Sequence, residues 1–283
     1  MYFKNLGRET AEAPTYRKIQ GMNLVVISII IFAIAILMTI TGRGGGNFYV
    51  LILVAAGQAM HQAATSAQFI LILTAFAGML IFQKNKLVDW KLALVIDPPT
   101  DIMAFFGGYF SNYASSAGLK LILAGLLVLA GFFMLIKVKE RPIIPKKKFG
   151  YWYRKFQGQE YVVNLWLTIP ITALTGLVAG AVGISCGSFK VPLMVLFCGV
   201  PMNIAVGTSS AMVAATAIMG FIGHASQGHF EPERAVLFAC IAVLGGLLGG
   251  RFAIKTKSTK LKKIFAYTTL AAAVFMIFNA LSS

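Results

Sequence analysis

Long apolar runs alternate with short polar stretches along the chain, and this pattern predicts a helical membrane protein. A helix needs about 20 apolar residues to cross roughly 30 Å of hydrocarbon, and several runs approach that length. The predicted membrane segments are Asn23–Thr41, Gln62–Phe82, Leu87–Phe110, Leu119–Ile136, Tyr161–Val182, Ile204–Gly223, Ala235–Phe252 and Ile264–Leu281.

Two shorter apolar runs, Phe48–Ala56 and Phe189–Val200, each follow a glycine-rich break. The breaks are Gly42–Asn47 and Gly183–Ser188. Irregular backbone at membrane depth is tolerated only where it is buried in protein or lines a cavity. We therefore interpret the two short runs as half-helices or re-entrant arms that begin at such a cavity.

The two halves of the chain align with each other, which indicates a duplication. Each half has five apolar segments, an odd number, so the second repeat is expected to be inverted relative to the first. The predicted fold is an all-α polytopic membrane protein of two inverted repeats, with roughly eight to ten transmembrane helices. The glycines and Thr-Ser pairs contribute most to the alignment: Gly42, Gly46, Thr65-Ser66 and Gly107-Gly108 match Gly183, Gly187, Thr208-Ser209 and Gly249-Gly250.

The boundaries follow from the same pattern. We expect an N-terminal tail at 1–22, a first membrane repeat at 23–137, a basic linker at 138–160 and a second membrane repeat at 161–283. The hydrophobic fraction of 58% agrees with a membrane protein, since soluble domains average roughly 45–50%.

The net charge of +16 does not indicate nucleic-acid binding, because the basic residues flank the membrane segments. The positive-inside rule places the linker and the basic loop Arg251–Lys263 in the cytoplasm, and the more acidic loop His224–Arg234 outside. Only the basic tail favours the opposite orientation. The linker is expected to contact anionic lipid head groups, with the stretch Tyr151–Tyr153 on the membrane surface.

The breaks have the chemistry of an anion site. Helix N-termini present free N–H groups and a positive dipole end, and Asn47 and Ser188 are suitable N-cap residues. Arg43 and Lys190 add full positive charge. The alternative is that both side chains extend to the membrane interface.

Uncharged hydrogen-bond donors follow each break. Thr65, Ser66 and Gln68 come after the first break, and Thr208 and Ser209 after the second. They suit a desolvated oxyanion, although small polar residues also pack membrane helices together.

Asp97 and Asp101 are acids inside an apolar segment, beside Pro98-Pro99, which we expect to bend or break the helix. Such residues are candidates for coupling transport to protons, or for structural pairing with Arg43. No cofactor or metal site is predicted, since no Cys/His spacing suits zinc. His224 and His229 are expected in an external loop.

At these motifs the chain resembles the TauE/SafE sulfite exporter family, also called toluene-sulfonate uptake permeases. The family typically has Gly-Ile-Gly-Gly-Gly at the break, whereas here Arg43 interrupts the first copy and Ser185-Cys186 the second. The resemblance implies transport of sulfite, thiosulfate, sulfonates or related organosulfur anions. The motifs that carry it are Gly183–Pro192, Gly199-Val200-Pro201, Ala205–Ser209 and Gly228-His229-Phe230, with Gly57-Gln58 and Ala63–Ser66 as weaker first-half copies.

The sequence thus predicts a multi-pass secondary transporter of the cell membrane for a small anion, with its site between the two repeats. A carrier for a non-sulfur carboxylate and a non-transporting scaffold are the alternatives. An enzyme is not expected, because no Gly-x-Ser-x-Gly elbow is present. The predicted substrate-binding residues are Arg43, Gly44, Gly45, Gly46, Asn47, Thr65, Ser66, Gln68, Ser185, Cys186, Gly187, Ser188, Lys190, Thr208 and Ser209, and the predicted coupling residues are Asp97 and Asp101.

Overall fold

A computed structural model describes residues 24–111, 149–182, 184, 186–228 and 230–281, with single helical positions between 124 and 135. This part of the chain is predominantly helical, as predicted. Its helices are α1 (Leu24–Ile40), α2 (Gly46–Ala55), α3 (Met60–Lys84), α4 (Trp90–Tyr109), α5 (Leu165–Val182), α6 (Gly187–Pro192) with a π-helical turn (Leu193–Phe197), α7 (Met202–Ala225), α8 (Pro232–Lys255) and α9 (Ser258–Leu281).

The helices follow the predicted apolar runs closely. Among the described residues, four helices are long and apolar enough to cross a membrane: His61–Lys84, Leu165–Val182, Met202–Ala225 and Pro232–Lys255. Leu24–Ile40 and Gly187–Phe197 are shorter apolar helices. The run predicted at Leu119–Ile136 and the tail at 1–22 lie largely or wholly outside the described residues.

A β-hairpin was not anticipated. Strands β1 (Tyr151–Phe156) and β2 (Gln159–Asn164) pair in antiparallel fashion through a turn at Gln157 and Gly158, both with positive φ. The prediction of membrane helix from Tyr161 was therefore wrong, and α5 begins at Leu165. A short apolar run has no clear period, and aromatic and β-branched residues favour a strand there. The hairpin extends across the boundary predicted at residues 160 and 161.

The long helices pack around α3 and α7, which lie against each other. Helix α4 packs on α7 and α5, and α8 packs on α3 and α1. The short helices pack on the helices that follow them, α2 on α3 and α6 on α7.

Glycines allow the helices to cross closely. A Cβ at Gly180 of α5 would lie 2.2 Å from the carbonyl oxygen of Ala104 on α4. At the α8–α1 crossing, a Cβ at Gly249 would lie 2.4 Å from the carbonyl oxygen of Ile36. Small residues at such interfaces let backbones approach, which is how membrane helices gain packing energy without a hydrophobic driving force.

Candidate functional site

The two glycine breaks meet inside the protein. Gly42, Gly44 and Gly45 all have positive φ, which a side chain would make unfavourable. A Cβ at Gly187 would lie 3.0 Å from Cα of Arg43. Arg43 and Ser188, 145 positions apart in the sequence, thus share one buried location.

The helices after the breaks begin differently from the prediction. The N-cap of α2 is Gly45 and that of α6 is Cys186, and neither makes a side-chain capping bond. Asn47 and Ser188 therefore lie inside the first turn, so their prediction as N-caps was wrong. Glycine is a favoured N-cap residue, and with Gly45 at this position the first N–H groups of α2 have no capping side chain.

Arg43 is buried at the meeting point, with 2% of its surface exposed. Its guanidinium therefore does not extend to the membrane interface. It lies 4.5 Å from the centre of the Phe265 ring on α9, a cation–π contact. Its N–H groups donate to Thr41 Oγ1 at 3.1 Å, Ser188 Oγ at 3.5 Å, Thr269 Oγ1 at 2.6 Å, Met38 Sδ at 3.5 Å and Thr268 Oγ1.

All of these Arg43 partners are neutral. In the part of the chain that the structure describes, no carboxylate lies within ion-pair distance of Arg43. Burying a charge is costly unless an opposite charge compensates it. The hydroxyls satisfy the hydrogen bonds of Arg43 but leave its positive charge uncompensated, which is the condition expected of a site for an anion.

The threonines that contact Arg43 from α9 were not identified from the sequence. Thr268 and Thr269 each donate to a carbonyl one turn earlier, at 2.7 Å. Their oxygens are thereby oriented to accept from Arg43. Two adjacent threonines within the apolar run Ile264–Leu281 were the available signal.

Lys190 is also fully buried, and its surroundings are acidic. Its ammonium forms an ion pair with Asp97 of α4 and donates to Thr216 Oγ1 of α7 at 2.7 Å. Thr216 Oγ1 lies 2.7 Å from Asp101 Oδ1 and 3.3 Å from Asp97 Oδ1. The structure therefore pairs Asp97 with Lys190, and the suggested pairing with Arg43 was wrong.

The α4 helix continues through Pro98 and Pro99 without a break. Asp97 and Asp101 are consequently one turn apart on the same helix face. This spacing lets both carboxylates reach Thr216.

The second Thr-Ser pair connects helices to loops. Ser209 Oγ donates to the carbonyl of Gly42 at 2.9 Å, and Thr208 Oγ1 accepts from the N–H of Asp89 at 3.0 Å. In the first pair, Thr65 donates to His61 O at 2.8 Å. The neighbouring Ser66 Oγ and Gln68 Oε1 are buried and have no hydrogen-bond partner among the described residues.

The remaining predicted site residues divide between these two clusters. Cys186 precedes α6, and its buried thiol donates to the carbonyl of Thr175 at 3.8 Å. Helix α6 links the clusters, because its Ser188 contacts Arg43 and its Lys190 contacts Asp97. Ser185 lies outside the described residues.

A second ion pair joins the hairpin to the start of α4. Arg154 of β1 donates twice to Asp89, each time at 2.9 Å, and the Tyr161 hydroxyl donates to the same carboxylate. Burial acts to raise the pKa of Asp89, but these donors and the N–H of Leu92 hold it below its ordinary value. This cluster was not predicted from the sequence.

His224 lies outside both clusters. His224 is buried in the last turn of α7, where Nε2 lies 2.8 Å from the carbonyl oxygen of Gly180, so its placement in an external loop was wrong. His229 lies outside the described residues. Among the residues that are described, no three His, Cys, Asp or Glu side chains gather as metal ligands would.

Long apolar helices, broken helices that meet centrally and buried charges between them define a multi-pass integral membrane protein with the organisation of a transporter. A family model, sulfite exporter TauE/SafE, matches residues 27–276. The chain belongs to this family, as its motifs indicated, and is a membrane transporter of the cell membrane rather than a member of an enzyme family.

Its relatives carry transporter names. It is 24% identical over 275 residues to the probable membrane transporter protein YunE of Bacillus subtilis (strain 168), covering 93% of this chain and 100% of that protein. It is 21% identical to YdhB of the same strain, named likewise, covering 90% and 100%. A probable membrane transporter protein of Xylella fastidiosa (strain 9a5c) is 30% identical over 41% of this chain and 45% of its own. No solved structure matches significantly.

Proposed function

We propose that this protein is a secondary carrier that moves a small anion by alternating access, with Arg43 as the principal substrate-binding residue. The observation that carries the proposal is the buried guanidinium between the two breaks, with no carboxylate beside it among the described residues. A bound anion would supply the missing negative charge. A non-transporting scaffold would gain nothing from an uncompensated buried charge.

The substrate class we favour is sulfite, thiosulfate, a sulfonate or another organosulfur anion. These ions present several oxygens to a planar guanidinium, which binds such groups with paired hydrogen bonds. The description of the family model, sulfite exporter, supports this class. A carboxylate anion offers the same geometry and is the second candidate.

Other residues complete the proposed site. Ser66 and Gln68 on α3 contribute buried polar atoms without partners in the described chain. The backbone of Gly44–Asn47 and of Gly187-Ser188 contributes N–H groups at the starts of two short helices. Thr65, Thr208, Ser209, Ser185 and Cys186 remain candidates from the sequence alone.

We also propose that the two halves, 23–137 and 161–283, are inverted repeats. Aligning the halves exchanges α1 with α5, α2 with α6, α3 with α7 and α4 with α8. Under this exchange the packed pair α1–α8 becomes α5–α4, α3–α8 becomes α7–α4, and α2–α3 becomes α6–α7. The α3–α7 pair maps onto itself, as expected if a pseudo-two-fold axis passes between these two helices. This correspondence supports a two-fold relation between the halves, and the odd number of apolar segments in each half supports the inversion.

In this arrangement the linker 138–160 and the basic stretch Arg251–Lys263, which spans the end of α8 and the start of α9, face the cytoplasm and its anionic lipids. Asp97 and Asp101 couple transport to protons. A cysteine introduced at Lys147 should react with a membrane-impermeant reagent only after the cells are opened. Labelling from outside intact cells would contradict the orientation.

Transport itself is tested in proteoliposomes containing the purified protein. Uptake of sulfite, thiosulfate, methanesulfonate and acetate is measured with and without an imposed pH gradient. We expect saturable uptake of at least one sulfur oxyanion, with acetate slower. Uptake of acetate alone would indicate that the substrate is a carboxylate. If none of the four anions enters faster than into protein-free liposomes, the proposal is contradicted.

A further inference from the structure

The Lys190 cluster contains one cation and two carboxylates. Asp97 and Asp101 lie on α4, Lys190 on α6, and Thr216 on α7 lies within hydrogen-bond distance of all three. Lys190 and Asp97 are buried, whereas Asp101 is partly exposed. When all three side chains are ionised, the cluster therefore has one uncompensated negative charge.

Among the described residues, no second cation compensates this charge from the helices packed around it. Helix α5 has no titratable side chain, and the titratable residue of α7, His224, bonds to Gly180. The Cys186 thiol is neutral and donates to Thr175. An uncompensated charge at membrane depth is costly, and a carboxylate avoids that cost by binding a proton.

We propose that Lys190, Asp97 and Asp101 form a site for a single proton, and that Lys190 belongs to this coupling site rather than to the substrate site. The inference rests on the proposed proton coupling. Lys190 neutralises one carboxylate permanently and a proton neutralises the other. The number of protons carried per cycle is therefore one.

Thr216 is the positioning residue of this site. When Asp101 holds the proton, its O–H donates to Thr216 Oγ1, while the Thr216 hydroxyl turns from the carbonyl of Met212, 2.9 Å away, to donate to Asp97. Transfer along this line moves one proton from Asp101 to Thr216 and another from Thr216 to Asp97. Asp101 becomes the carboxylate, Asp97 becomes the acid, Thr216 is unchanged, and the total charge is conserved. The partly exposed Asp101 is the entry point, and Asp97 beside Lys190 is the inner position.

The charge count gives a test that distinguishes a proton site from a merely structural cluster. Asp101→Asn leaves Lys190 with Asp97, a neutral pair that needs no proton. This variant should equilibrate sulfite across proteoliposomes but fail to concentrate it under a pH gradient. The double variant with Asp101→Asn and Lys190→Gln leaves one carboxylate, which again needs one proton. It should concentrate sulfite as the parent does.

Infrared spectroscopy of the purified protein in nanodiscs provides a readout that needs no substrate. The parent should show the carbonyl band of one buried protonated carboxyl group at neutral pH. The band should vanish in Asp101→Asn and in Asp97→Asn, return in the double variant, and double in Lys190→Gln alone. Thr216→Val should keep the band but slow coupled uptake at least about tenfold, and Thr216→Ser should restore the rate.

If the parent lacks the carbonyl band, or if the band does not return in the double variant, the proposal of a site for one proton is wrong. If sulfite binding instead falls in Lys190→Gln while the band is unchanged, Lys190 is a substrate ligand and the inference is wrong. If the bands behave as expected but none of the four anions is transported, the proposed function fails while the proton site stands.

Discussion

Arg43 and Lys190 are both buried cations at the glycine breaks, yet their surroundings are opposite. Lys190 pairs with Asp97 and has Asp101 nearby through Thr216. Arg43 is held by hydroxyls and by the Phe265 ring, with no carboxylate in reach among the described residues. One short helix, α6, contacts both.

The difference separates two roles that the sequence could not distinguish. A cation with its own carboxylate has no electrostatic need for a bound anion, whereas a cation surrounded by neutral acceptors does. We therefore propose substrate binding for Arg43 and coupling for Lys190.

The largest expected contrast is in stability. Lys190→Met leaves the buried Asp97 and the partly exposed Asp101 without a cation and should lower the free energy of unfolding by about 3 kcal/mol. Arg43→Met removes an uncompensated charge along with its hydrogen bonds, and should change stability by less than about 1 kcal/mol. Denaturant unfolding in detergent micelles measures both. Equal destabilisation by the two substitutions would mean that Arg43 is also a structural residue.

The ion pair between Asp89 and Arg154 is another compensated charge, and its contribution to stability should depend on pH. Since the pKa of Asp89 is depressed in the folded protein, its stabilisation is complete above its ordinary pKa of 3.8 and is lost as the pH falls through the lower folded value. Arg154→Gln should lower the free energy of unfolding by about 2 kcal/mol at neutral pH. This difference from the parent should vanish once the pH is below the folded pKa of Asp89. Unfolding of parent and variant at several pH values provides the check, with Lys155→Gln as the matched control on the same strand. A cost that does not change with pH would contradict an ionic role.

A smaller effect is expected from the threonines that orient Arg43. Thr269→Val removes the acceptor at 2.6 Å from the guanidinium. We expect sulfite affinity to weaken about threefold, since a single neutral acceptor contributes roughly 0.5–1.5 kcal/mol. Thr256→Val is the control, because Thr256 makes the same bond to its own helix at an exposed position. Similar affinities for the two variants would remove Thr269 from the site.

The apolar runs predicted most helices to within a few residues, because crossing a bilayer requires a long apolar segment whatever its neighbours are. The breaks were equally visible, since a run of glycines interrupts a membrane helix and is tolerated only where the backbone is sheltered from lipid. The hairpin Tyr151–Asn164 was missed because its short apolar portion continues directly into α5 in the sequence.

The partners of the charged residues could not be predicted. Whether Asp97 faces Arg43 or Lys190 depends on how α4 is rotated against α6 and α7, and hydrophobic periodicity does not specify this in a helix buried on several sides. The pairing of Asp89 with Arg154 links residues 65 positions apart through a hairpin that had not been predicted. Sequence reasoning therefore identified candidate charges, and only the packing sorted them into sites.

The central claim is that Arg43 binds the transported anion, and calorimetric titration of the purified protein with sulfite tests it directly. Arg43→Gln should fold normally and weaken sulfite affinity at least about tenfold, equivalent to roughly 1.4 kcal/mol. Arg43→Lys should recover only part of the affinity, because an ammonium cannot form the paired hydrogen bonds of a guanidinium. The exposed Arg251→Gln serves as the control and should bind as the parent does. A folded Arg43→Gln variant with the affinity of the parent would contradict the claim.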